Sequence, residues 1–165
     1  MPSWIDPKLI QSELVSRLHS WWASNCGQSG IPDRQDFDPI RHKDLLPSLM
    51  ISEAVHDPFR IRYRLVGTRV VAVTGFDFTG RFLDELLGEN ASEPWMEHYA
   101  STYRMRVPLF GRVTEATISG STFSYDFGIV PVRHGGDEVK QFISVEDYFG
   151  FQLISAGLRP WPQQS

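Results

Sequence analysis

The chain has 165 residues, enough for one domain with a modest N-terminal extension, and its 41% hydrophobic and 22% charged residues are those of an ordinary soluble globular protein. A net charge of -4 and a pI of about 5.7 argue against clamping nucleic acid through a basic surface. The single cysteine, Cys26, rules out an intrachain disulfide and fits a reducing interior. No apolar run reaches the roughly 20 residues of a membrane span, and Met1-Pro2-Ser3-Trp4-Ile5-Asp6 lacks the pattern of a secretory signal, so a cytoplasmic protein is expected.

Asp6-Pro7 carries a helix-start signal, Asp as cap and Pro at the first helical position. Ile10, Leu14, Leu18, Trp21 and Trp22 follow with helical spacing on one stripe, and Gly27 can end the helix. Such a stripe must be buried on the chain's own sheet or on a second subunit. Gln28 to Asp33 is a linker by composition, and Asp38-Pro39 predicts a short helix over Ile40 to Leu46, stopped by Pro47.

Leu49 to Val55 reads as a first strand, and His56-Asp57-Pro58 as the turn of a hairpin. The next strand is the clearest element of the chain. Phe59, Ile61, Tyr63 and Leu65 alternate with Arg60, Arg62 and Arg64, the period of a half-buried strand. The arginine face reads as solvated or partner-covered, with Arg64 pairing to Asp36 or Asp38 and an anionic ligand as the alternative. Val66-Gly67 ends the strand, and Thr68 is positioned to cap a helix beginning at Arg69.

Two further helices are predicted, one over Gly80 to Leu87 and a longer one from Ser92 to about Arg106. Three strands complete the pattern: Leu109 to Ser119, Thr122 to Val132 and Val139 to Phe149. Gly120-Ser121 and His134-Gly135-Gly136-Asp137 supply their turns. The tail from Arg159 is expected to be loose. The fold class expected is α+β, a single five-stranded antiparallel sheet with helices on one face and an N-terminal helical extension. The divisions are 1–38 for the N-terminal helix and linker, 39–150 for the domain, and 151–165 for the tail.

The order of a helix followed by β-β-α-α-α-β-β-β is that of the PAS fold. The sequence also resembles a divergent bacterial PAS family found mostly as stand-alone proteins in alphaproteobacteria. The residues carrying the resemblance are Leu46-Pro47, Asp57-Pro58, Arg62-Tyr63-Arg64-Leu65-Val66-Gly67-Thr68, Gly75 and Thr79-Gly80-Arg81, with Trp21-Trp22, Pro32 and Asp36-Phe37-Asp38-Pro39 upstream. The resemblance spans about residues 15 to 150. It implies a sensory or interaction module that holds a small ligand between sheet and helices and often dimerises through an N-terminal helix. With no kinase, cyclase or DNA-binding segment recognisable, output is expected through a partner signalling protein or a homodimer.

The ligand-binding candidates are the rings and polar groups expected between sheet and long helix. They are Tyr63, Trp95, His98, Tyr99, Thr102, Tyr103, Phe123, Tyr125 and Phe142, of which Trp95, Tyr99 and Thr102 share a helix face by spacing. The bland alternative is a filled core acting purely in dimerisation or protein interaction. PAS haem proteins use a histidine on the long helix, which makes His98 the candidate for a haem sensor. A flavin adduct needs a cysteine in the helical middle, and Cys26 lies far upstream. No cofactor is assigned, and neither haem nor flavin is expected.

Catalysis and metal binding find no support. His42, His56, His98 and His134 are dispersed. Gly135-Gly136 sits in a hairpin rather than before a helix, and no nucleophile elbow is present. Glu146 and Asp147 are neighbours on a strand and point to opposite faces, so they cannot form a dyad. An NTF2-like cone is a third fold reading, but its helices come mostly before its strands.

Overall fold

The computed structural model describes residues 3–149 apart from 117–119 and 121. The expected turn residue Ser121 and the expected loose tail lie outside the described residues. The sheet is built from β1 (Ser3–Trp4), β2 (Leu49–Val55), β3 (Arg60–Val66), β4 (Leu109–Ala116), β5 (Thr122–Val132) and β6 (Gln141–Asp147). Their order is β1-β4-β5-β6-β2-β3, every pair antiparallel. The five expected strands are there, and the two-residue β1 adds a sixth on the outer edge of β4.

The helices are α1 (Glu13–Ser24), α2 (Thr68–Thr74) and α3 (Leu83–Met105). The residues predicted to form two middle helices are two arms of α3, separated at Gly88, whose φ of 68° and ψ of 165° break the helical path. Asp6-Pro7 starts only a 3₁₀ turn, Pro7–Leu9. The cap of α1 is Ser12, whose hydroxyl accepts from the Val15 amide at 3.1 Å. Residues 39–45 form turns rather than the predicted helix, and only Leu46–Ser48 is a 3₁₀ turn. Asp38 does cap locally, accepting from Ile40 N at 2.9 Å, but too few apolar positions follow to bury a helix face.

Two cores form, one on each side of the sheet. On the inner side α2, α3 and Phe78 cover Met50, Ile61, Tyr63, Phe123, Tyr125, Phe127 and Phe142. On the outer side Val15, Leu18 and Trp21 of α1 cover Phe110, Val130, Val132, Ile143 and Val145. The N-terminal stripe is therefore spent on its own sheet, each buried side chain contributing roughly 1.5–3 kcal/mol. Trp22 is part-buried and donates its indole N–H to Pro131 O at 2.8 Å. The approach is close: a Cβ on Gly128 of β5 would lie 2.9 Å from Val15 Cγ1. Ser12 Oγ also donates to Asp147 Oδ2 at 2.6 Å, tying the helix start to β6.

β3 does not alternate to its end. Its register against β2 shifts between Ile51 and Ser52, so that Ile51 faces Leu65 and Ser52 faces Tyr63, leaving Arg64 as an extra residue. Phe59, Ile61 and Tyr63 pack on the inner core as expected. Leu65 is turned out by the bulge and is 41% exposed. Arg64 pairs with Glu53 at 3.7 Å, not with Asp36 or Asp38, because the next strand lies closer than the upstream segment. Arg62 also bonds Glu53, and Arg60 makes two bonds to Asp84 at 2.9 Å while its guanidinium sits 3.8 Å over Phe82.

Gly67, not Thr68, is the N-cap of α2. A Cβ there would meet Pro47 O at 2.4 Å and Leu46 O at 2.5 Å, so the helix entry lies directly on the Leu46-Pro47 backbone. The free edge of β3 is covered by the Thr79-Gly80-Arg81 segment: Tyr63 N donates to Arg81 O at 3.0 Å and Gly80 N to Tyr63 O at 2.7 Å. Part of the set that carries the PAS resemblance, Leu46-Pro47, Tyr63, Gly67 and Gly80-Arg81, thus meets along β3 and its exit into the helices.

Candidate functional site

Between the inner sheet face and the helices lies a cavity of about 70 Å³. That is room for a few waters or a ligand of a few heavy atoms. Strand alternation brings Tyr63 from β3, Phe123, Tyr125, Phe127 and Ile129 from β5, and Ser144 and Glu146 from β6 to its floor. α2 contributes Val70, Val73 and Thr74, and α3 contributes Leu83, Leu87, Trp95 and Tyr99. Phe78 comes from the loop between them and Tyr148 from just past β6.

Phe123 and Tyr125 stack at 6.1 Å, and other rings pack edge to face or tilted. Tyr63 and Phe78 are 4.7 Å apart, Trp95 and Phe127 4.8 Å, and Tyr125 and Tyr148 5.0 Å. Of the predicted residues, Tyr63, Trp95, Tyr99, Phe123 and Tyr125 line the cavity. His98, Thr102, Tyr103 and Phe142 do not. Phe142 is fully buried behind Tyr99, 5.1 Å ring to ring. Thr102 is buried too, but its hydroxyl donates back to His98 O at 2.9 Å. Tyr103 lies a turn further along α3 and packs on His56 and Phe59, both at 5.4 Å. His98 packs beside the Trp95 and Phe127 rings, its Nε2 buried without a partner, and burial lowers its pKa.

The most unusual group is Glu146. Burial among rings raises its carboxyl pKa to about 7, against a hydrogen bond from Tyr148 Oη to Oε2 that favours the charged form. Burial also drives the phenols of Tyr63, Tyr125 and Tyr148 far above the ordinary range. The Tyr99 phenol is raised by burial and held back by the nearby Ser144 and Ser52 hydroxyls. Those two serine hydroxyls, of which Ser144 alone lines the cavity, are buried with no partner in good hydrogen-bond geometry. Glu115 on β4 is the second carboxyl among the described lining residues; the residue is exposed overall, but partial desolvation of its carboxyl raises its pKa.

Glu146, Ser144 and Tyr148 were missed from sequence. The signal was present: Phe142, Ser144 and Glu146 follow one another at a period of two, so the inner assignment of Phe142 extends to both. As expected of neighbours on a strand, Asp147 faces the other side, toward α1. Among the described residues no group of three or more His, Cys, Asp or Glu is arranged to hold a metal, and no helix is long and apolar enough to cross a membrane.

The model of a family described as "PAS domain" matches residues 10–145. No curated protein matches the chain. Among solved structures the chain is similar to an RNA-binding light-oxygen-voltage receptor, at 17% identity and a TM-score of 0.48, covering 65% of this chain and 31% of that one. It is similar to a light-oxygen-voltage domain studied with a flavin analogue, at 17% identity and a TM-score of 0.49, covering 68% and 84%. A further similar structure is the dark state of the blue-light photoreceptor Aureochrome1 LOV, at 13% identity and a TM-score of 0.49, covering 69% and 84%.

Proposed function

The chain belongs to the PAS domain family, and on that premise we propose that it is a sensory module that binds a small molecule between sheet and helices and performs no chemistry of its own. The observation that carries the reading is the cavity itself, a ring-lined space with a few polar groups converging on it, as small-ligand sites have. In this reading residues 1–38 are an N-terminal helix and linker, 39–150 form the sensory domain, and 151–165 are a tail. The protein acts in the bacterial cytoplasm and signals through a partner protein or a homodimer. A homodimer through α1 has that helix's solvent face to use, since its apolar stripe packs inward.

The competing reading, a pure interaction module with a filled core, is favoured by the size of the cavity, well below the about 300–1,000 Å³ of drug-sized sites. Haem and flavin do not fit this space. His98 is not on its lining, and Cys26 follows α1 on the opposite side of the sheet, its thiol donating to Trp22 O at 3.2 Å. Native mass spectrometry of the purified protein tests the two readings. A co-purified small molecule, lost together with its thermal shift in Trp95→Ala while the fold persists, supports the sensor. Bare protein with no metabolite shifting its melting supports the filled core.

A further inference from the structure

The cavity lining is lopsided in charge. Among the described lining residues the carboxyls are Glu146 at the floor and Glu115 at the rim, and none is Lys, Arg or His. The other titratable groups facing Glu146 are phenols: Tyr63 from β3, Tyr99 from α3, Tyr125 from β5 and Tyr148, while α2 offers Thr74. Tyr148 occupies one carboxyl oxygen, and Oε1 has no hydrogen-bond partner among the described residues. Beside it Ser144, 2% exposed, has its hydroxyl near the Tyr99 phenol but in no well-formed hydrogen bond. The ionised carboxyl oxygen can only accept, and the Ser144 hydroxyl can accept as well as donate.

The rings around them have faces whose quadrupole is negative. An anion entering this space meets a second negative group with no counter-charge. A neutral ligand leaves Glu146 either uncompensated or protonated. A cation that carries N–H donors satisfies Oε1, the Ser144 hydroxyl and the ring faces together. We propose that the cavity takes a small organic cation, a protonated primary amine of a few carbon atoms, with its ammonium on Glu146 and Ser144 and its carbons among Phe78, Trp95 and Tyr125. The proposal rests on the small-molecule reading above and names the class of ligand.

The test is calorimetry on the full chain with three probes of similar shape: n-butylammonium, n-butanol and n-butyrate. Measured a pH unit above the Glu146 midpoint, the amine binds at least about tenfold tighter than the alcohol, and butyrate is weakest. Glu146→Gln removes the preference, and in the unaltered protein it fades as pH falls below the midpoint of about 7, a second measure that needs no variant. Alcohol or butyrate binding as tightly as the amine overturns the cation and leaves a ligand cavity standing, as does a neutral or anionic co-purified molecule. Preference for the amine unchanged in Glu146→Gln overturns the assigned anchor. If no probe binds and mass spectrometry finds no bound molecule, the cation and the sensor reading fall together.

Discussion

Tyr148 donates its phenolic proton to the Glu146 carboxyl from two residues further along the chain, where β6 leaves the sheet. The bond sets a charge-favouring contact against an environment that disfavours charge. Removing the phenol in Tyr148→Phe leaves burial unopposed, so the Glu146 midpoint rises above about 7. Carboxyl carbon NMR of glutamate-labelled protein follows it, and a midpoint that falls contradicts the account.

The same group makes stability depend on pH with a definite sign. An ordinary glutamate titrates near 4.5, whereas Glu146 does so near 7 in the folded protein. Between these values the folded chain holds a proton that the unfolded chain has lost. Stability from this group is therefore complete below about 4.5, declines as pH rises toward about 7 and levels off above, a loss on the order of 3 kcal/mol. Urea unfolding across this range reads the slope, and the part belonging to Glu146 vanishes in Glu146→Gln.

At the strand-to-helix handover the limiting factor is space. Gly67→Ala forces a methyl to within 2.4 Å of Pro47 O, so strand end and helix start must separate. The expected loss is about 1–3 kcal/mol, read from the urea midpoint. Gly136→Ala is the control: nothing lies within 4 Å of a Cβ there, and its effect stays within about 0.5 kcal/mol.

On the outer face, Gly128→Ala collides with Val15 and pushes α1 off the sheet. The double variant Val15→Ala with Gly128→Ala relieves the clash. It is less destabilised than the sum of the single changes by about 0.5–3 kcal/mol. Simple additivity in urea unfolding would contradict the close packing of α1 on β5.

Much of this fold could be read from local pattern. Alternation through Phe59, Ile61 and Tyr63, the turn residues of the hairpins and the PAS-like residues around Gly67 point to one antiparallel sheet with helices laid across it. Ring-rich positions on those elements also point to Tyr63, Trp95, Tyr99, Phe123 and Tyr125 at the interface. These properties follow from the backbone period of a strand or a helix, which a short stretch of sequence carries by itself.

What depended on distant parts of the chain meeting was hidden. The bulge that turns Leu65 outward is a mismatch of register between β2 and β3, and either strand alone is regular. Thr102 shares a face with Tyr99 by spacing but lies beyond the cavity's end, a distance fixed by where the broken helix crosses the sheet. Glu146 looks like any carboxylate on a final strand. Only the convergence of β3, β5 and α3 around it removes water and moves its titration to about 7, because desolvation depends on everything packed against a group and not on its neighbours in sequence.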